Sequence, residues 1–221
     1  MNTMTPPALD PATWRPALAA LAASAANDDG AHDASHLERV WRSAATLLAQ
    51  HPEADPLVVM AASYLHDLVN LAKDDPGRAQ ASRRSALLAC TELRRLGFPE
   101  SRLDAVAHAI EAHSFSAAIA PRTIEAKIVQ DADRLDALGA VGLARMFYIA
   151  GRMGRALAHA DDPLALGREL DDGLYTLDHV VLKLARLPGM MQTAGGREMA
   201  DARLEKLLVF REEFAAEWLG E

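Results

Sequence analysis

Eleven prolines punctuate this chain, and most of the stretches they leave uncut are of helix length. Proline lacks an amide hydrogen and its ring collides with the preceding turn, so it is kept out of helix interiors and marks helix ends. The main Pro-free segments run over 17–51, 57–75, 77–98, 100–120, 122–162, 164–187 and 189–221, each long enough for one helix or two. What fills them points the same way: 45 Ala and 31 Leu stand against 23 Val, Ile and Thr together. Ala and Leu favour helix, whereas β-branched residues fit strands. The sequence shows no alternating strand pattern, internal repeat or low-complexity linker. An all-α fold is therefore expected, and 221 residues suit a single domain over 1–221.

Local signals place the helices. Ser35-His36-Leu37-Glu38 reads as a capping box, followed by Leu37, Val40, Trp41, Ala44, Leu47 and Leu48 at helical spacing. Asp55-Pro56 reads as a cap with Pro at the first helical position. The stretch LVVMAASYLHDLVNL after it is apolar on nearly every face, which predicts a buried helix with His66, Asp67 and Asn70 inside it. The segment 122–150 is also apolar around most of its circumference and carries Asp131, Asp133 and Asp136. Gly30, Gly77, Gly97 and the Gly195–Gly196 pair are expected at turns. Ala17–Ala26 resembles the apolar part of a signal peptide, but Arg15 is its only positive charge and Asp10 stands just before it. A short surface or capping helix is the better reading. The C-terminal stretch from Ala200 is amphipathic and either packs on the domain or supports a homodimer.

Charge and cysteine content narrow the function. A net charge of −8 and a pI near 5.5 argue against a polymeric nucleic-acid partner. Cys90 is the sole cysteine, which excludes an intrachain disulfide framework and a Cys-based zinc finger. No apolar run reaches transmembrane length, so a cytoplasmic protein without a membrane partner is expected.

Adjacent His66 and Asp67 in so apolar a stretch demand partners, because burying an imidazole and a carboxylate unpaired costs several kcal/mol. A divalent cation satisfies both. The two side chains leave a helix about 100° apart and can still converge on one ion, with further ligands from other helices.

His36, then His66-Asp67, then Asp133 within KIVQDADRLDALG resemble the H…HD…D signature of the HD-domain metal-dependent phosphohydrolases. The surrounding words AHDASHLERVWRSA, SYLHDLVNLAKDDP, AHAIEAHSFS and EAKIVQDADRLDALGAVGLAR resemble a bacterial branch similar to small nucleotide pyrophosphohydrolases. The resemblance runs from about residue 30 to the C-terminus. It implies an all-α HD-domain bundle, with a metal-binding core over about 30–140 and extra C-terminal helices over about 141–221. It also implies one divalent ion held by His36, His66, Asp67 and Asp133. The expected activity is hydrolysis of a nucleotide, such as a nucleoside triphosphate losing pyrophosphate, or of a similar small phosphate ester, through a metal-bound water. Two imidazoles and two carboxylates suit Mn²⁺, Co²⁺, Ni²⁺, Fe²⁺, Mg²⁺ or Zn²⁺.

Periodicity does not choose between the aspartates. Asp131 shares a stripe with Ile124, Ile128, Leu135 and Leu138, and Asp133 shares a face with Val129, Ala140 and Phe147. The resemblance selects Asp133 as ligand and leaves Asp131 to orient a ligating imidazole. Asp67 and Asp131 are the candidates for catalytic proton handling, because Asn70 stands where related nucleotidases carry the Glu of HDxxE. For gripping phosphate the candidates are Lys73, Arg78 and His113, with Ser82 beside them. Arg83, Arg84, Arg145 and Arg152 read better as solvated or dimer-facing side chains, and Cys90 as a small core residue. Two other functions fit the same residues. One is an HD-type di-iron oxygenase with His108 and His113 as added ligands; the other is a non-catalytic HD module that binds a nucleotide.

Overall fold

The computed structural model describes residues 10–25, 34–71, 75 and 77–221. Among these the chain is all-α, without a strand, and with one isolated bridge between Ala156 and Tyr175. No helix of the described residues is long and apolar enough to cross a membrane. The chain divides into two compact units, Met1–Asp133 and Arg134–Glu221.

The first unit is built around a helix buried from its second residue to its last. Its elements are α1 (Pro11–Ala25), α2 (Ala34–Leu48), α3 (Pro56–Leu65), α4 (Ala81–Arg95), α5 (Glu100–His113) and most of α6 (Ile124–Leu135). Every residue of α3 from Leu57 to Leu65 is buried, and α3 packs against α1, α2 and α5. Asp55 caps it as the sequence indicates. The carboxylate accepts the amide hydrogens of Leu57 and Val58 at 3.0 and 3.4 Å, with Pro56 at the first position. The second oxygen of Asp55 takes Arg102 of α5 at 2.5 Å, and its amide donates to Glu125 of α6 at 3.0 Å. One capping residue thus fastens three helices.

Several local expectations need correction. α3 stops at Leu65, so His66, Asp67 and Asn70 follow the helix instead of lying within it. The His66 ring donates from Nδ1 to the Ser63 carbonyl at 2.9 Å, satisfying one of the acceptors that an ending helix orphans. The Ser85 hydroxyl of α4 then accepts the Val69 amide at 3.0 Å and carries the chain away from the helix axis. The capping box at Ser35 does not form. α2 is already helical at Ala34, and the Glu38 carboxylate is taken by the Tyr64 hydroxyl, at 2.6 Å, and by Arg15 of α1. α1 buries Trp14, Leu18 and Ala22 and keeps Pro16 within the helix, an exception to the boundary rule. Gly97 does end a helix: at φ +79° it follows α4, and the Phe98 amide donates to the Leu93 carbonyl at 2.9 Å. Gly30 lies outside the described residues.

The second unit holds α7 (Gly139–Arg152), α8 (Asp178–Leu182) and α9 (Ala194–Leu219). α9 buries Gly196, Ala200, Leu207, Arg211 and Ala215 along one stripe and meets α7, where Phe147 lies against Phe210 and Phe214. Gly195 and Gly196 sit in its first turn, not in a separate one, and the Thr193 hydroxyl accepts the Gly196 amide at 2.9 Å. Residues 153–177 contain no helix, although their spacing allows one. The stretch is instead organised by the buried Asp178 carboxylate, which takes Arg168 through two bonds of 2.6 and 2.8 Å and the Asp171 amide at 2.7 Å.

The join between α6 and α7 depends on glycine. Gly139 adopts φ +71°, and a Cβ at Gly142 would fall 2.2 Å from the Ala137 carbonyl carbon and oxygen. That contact is with backbone, so no rotamer change relieves it. Gly142→Ala is expected to lose at least about 2 kcal/mol of stability through forced backbone movement. Urea denaturation of the variant would read this, and an unchanged midpoint would contradict it.

Candidate metal centre

Three helices bring the signature residues to one point. His36 is the third residue of α2, His66 caps α3, Asp67 follows it, and Asp133 lies in the last turn of α6. His36 Nε2 and His66 Nε2 are 3.3 Å apart, and both rings are buried. Asp133 Oδ1 lies 3.5 Å from His36 Nε2 and 3.7 Å from His66 Nε2. Asp67 Oδ2 is 3.7 Å from His66 Nε2. His36, His66 and Asp67 form a group whose ligand atoms all lie within 4.8 Å of one another.

These separations suit a cation. Ligands at about 2.1 Å from a common ion stand roughly 3.0 to 3.4 Å apart at adjacent tetrahedral or octahedral positions. The four distances from His36 and His66 Nε2, 3.3 to 3.7 Å, are that long or a few tenths longer, so small side-chain adjustments bring these atoms to a common ion. The protonation states agree. Because His66 Nδ1 donates to Ser63, its Nε2 is the bare nitrogen that faces the cluster. Burial drives the His66 imidazole down to about 4, against the pull of Asp67, so the ring is neutral near pH 7, as a metal ligand must be.

His113 closes α5 beside this group. Its Nδ1 donates to the Ile110 carbonyl at 2.6 Å, its Nε2 stands 3.7 Å from Asp67 Oδ1, and its ring meets that of His66 edge-on at 4.7 Å. Burial opposes its charged form, but the nearby carboxylate of Asp67 holds it above the ordinary imidazole value. The two oxygens of Asp67 thus face two different imidazoles.

A cavity of about 240 Å³ opens beside the cluster, lined by Asp67, Asn70, Arg78, Ser82, His113 and Asp133 among others. Arg78 donates from one guanidinium nitrogen to the Leu71 carbonyl at 2.5 Å. The Ser82 hydroxyl is buried and has no hydrogen-bond partner among the described residues. Asn70 stands on the cavity wall, where its amide can donate or accept but cannot take a proton. Asp131 is fully buried two residues before Asp133 and does not line the cavity. Lys73 lies outside the described residues. His108 is turned elsewhere: its Nε2 accepts the Arg122 amide at 2.9 Å, and it is absent from both the cluster and the cavity wall. Arg145 bonds Asp136 at 2.7 Å. Sequence reasoning missed Ser114, Phe115 and Ser116, which also line the cavity; the only signal was their place directly after His113.

The HD domain family model matches residues 33–138. YpgQ of Bacillus subtilis (strain 168) is 35% identical over 188 residues, which are 83% of this chain and 83% of YpgQ. The crystal structure of YpgQ in complex with ADP aligns with a TM-score of 0.72 at 30% identity, covering 94% of this chain and 96% of that one. A crystal structure of an HD-superfamily hydrolase from Bacillus thuringiensis aligns with a TM-score of 0.73 at 27% identity, covering 96% and 100%. In family match, in sequence and in fold, this chain belongs to the HD-domain family of hydrolases.

Proposed function

We propose that this protein is a divalent-metal-dependent phosphohydrolase acting on a nucleotide, with a nucleoside triphosphate losing pyrophosphate as the expected reaction. The observation that carries this reading is the juxtaposition of two buried imidazoles and two carboxylates with a polar cavity lined by an arginine and by a buried hydroxyl that has no partner among the described residues. The ADP complex of the related YpgQ supports a nucleotide as ligand.

His36, His66, Asp67 and Asp133 are the residues proposed to hold one divalent ion. When bound there, the ion supplies Lewis acidity, both to a water and to a phosphoryl oxygen. The remaining work falls to the chain. His66 stays neutral and keeps Nε2 directed at the centre because Ser63 holds its other nitrogen. Asp67 spans the centre and the cavity, one oxygen toward each of His66 and His113, which fits it to receive a proton from an attacking water. Asp131 is proposed to orient a ligand from its buried place on α6. His113 turns Nε2 toward Asp67 Oδ1 at the cavity wall and is proposed to contact the phosphoryl group from there. Arg78 and Ser82 present donors to the remaining phosphate oxygens, and Lys73, outside the described residues, is a further candidate on its sequence position alone. Such local positive charge is needed, since the chain as a whole carries −8.

Asp67→Asn keeps the shape of the side chain but removes its charge and its basicity. Turnover of a nucleoside triphosphate panel with Mn²⁺, Co²⁺ and Mg²⁺ is expected to fall by at least about 10³-fold, with the melting temperature used to confirm folding. A folded variant with wild-type turnover would contradict the mechanism.

The His66 imidazole also makes the metal-stripped protein sensitive to acid. Its folded value of about 4 lies below the unfolded 6.5, so between these values the unfolded chain binds more protons and folding stability falls as pH is lowered. The full gap corresponds to roughly 3 kcal/mol. In the presence of a chelator, wild type should lose about that much more stability than His66→Gln between pH 6.5 and 4, measured by urea unfolding. Equal losses would contradict the assigned state of His66.

A further inference from the structure

Phe115 sets a benzyl ring, 75% exposed, on the wall of the cavity beside the metal centre. A lone exposed apolar side chain is ordinary on a protein surface; position, support and cavity size are what distinguish this one. Phe115 lies two residues beyond His113, so their Cα atoms are at most about 7 Å apart, and His113 Nε2 is 3.7 Å from Asp67. The turn that displays it is tied down on both sides. His113 is anchored to the Ile110 carbonyl, the Ser114 and Ser116 hydroxyls bond each other at 3.1 Å, and the Ala118 amide donates to the Phe115 carbonyl at 3.4 Å. Ala118 closes the turn at φ +52°, in the left-handed region that a non-glycine residue enters only at a cost.

The cavity holds about 240 Å³. Sites that enclose a whole small ligand run from about 300 to 1,000 Å³. This one has room for phosphates, and the exposed ring of Phe115 on its wall is placed to meet a nucleoside attached to them. The side chains inside, Asp67, Asn70, Arg78, Ser82 and His113, offer charge and hydrogen bonds; Phe115 offers a flat apolar face. Such a face stacks on any base because every base presents a π surface.

We propose that Phe115 is the stacking platform for the base of a nucleotide whose phosphates enter the cavity, so that the site prefers a ring-bearing phosphate to a bare polyphosphate. This rests on the phosphohydrolase reading above and adds to it the part of the substrate that lies away from the reacting bond. Stacking of this kind discriminates weakly among bases and strongly against ligands without a ring.

The test is calorimetric binding of ADP and of inorganic pyrophosphate to the Mn²⁺-loaded full-length protein, as wild type, Phe115→Ala and Phe115→Trp. Wild type is expected to bind ADP more tightly than pyrophosphate. Phe115→Ala should weaken ADP by roughly tenfold, leaving pyrophosphate within twofold, and Phe115→Trp should restore ADP. If Phe115→Ala binds ADP as wild type does, or weakens both ligands equally, the platform is refuted while the phosphohydrolase reading stands. If wild-type protein binds neither ligand, that reading itself falls and the platform falls with it.

Discussion

A neutral imidazole at the end of a helix buried from Leu57 to Leu65 is the constraint on which the site depends. His66 is drawn out of water with α3, one ring nitrogen is spent on Ser63, and the other is left among His36, Asp67 and Asp133. Burial that removes the proton from His66 also creates a ligand, and without a cation the cluster gathers two carboxylates and two imidazoles at the edge of a cavity. The helices around α3 serve this arrangement. The Asp55 cap ties α3 to α5 and α6, and Glu38 ties α2 to Tyr64 of α3, so the elements that carry His36, His113 and Asp133 are held by bonds to the same rod.

Much of this is legible in the sequence, for physical reasons that differ from residue to residue. The all-α fold follows from Ala and Leu between prolines, and the start of α3 from Asp55-Pro56, because both signals act locally. The site residues come forward as an ordered motif on separate segments, which periodicity alone could not rank: the stripes of α6 leave Asp131 and Asp133 equal, and only the folded chain sets the Asp133 oxygen within 3.5 Å of His36. Where the reading departs from the structure, a tertiary partner has overridden a local pattern. LHDLVNL continues the helical rhythm, yet α3 ends at Leu65, where a side chain caps it and the next residues are fastened to α4. Glu38 fits a capping box, but Tyr64 and Arg15 bind it instead. The loop at 153–177 answers to the buried Arg168–Asp178 pair, which no periodicity reveals.

Charge and proton-handling groups line the cavity, and among them Asp67 faces two imidazoles of opposite tendency: burial holds His66 neutral, while the carboxylate keeps His113 inclined to protonate. Asn70 offers an amide without basicity, so the proton-accepting groups shared by the centre and the cavity wall are the carboxylates of Asp67 and Asp133, and of these Asp67 is the one that faces His113. His108, bonded to the Arg122 amide, takes no part in this group, so His113 is the only imidazole of AHAIEAHSFS that stands beside it.

The most direct test of the central claim is an anomalous-scattering map, recorded near the manganese edge, from crystals of this protein grown with Mn²⁺. The account predicts one peak about 2.2 Å from His36 Nε2, His66 Nε2 and a carboxylate oxygen of each of Asp67 and Asp133. The absence of a peak there, with the two imidazoles directed away from a common point, would contradict it.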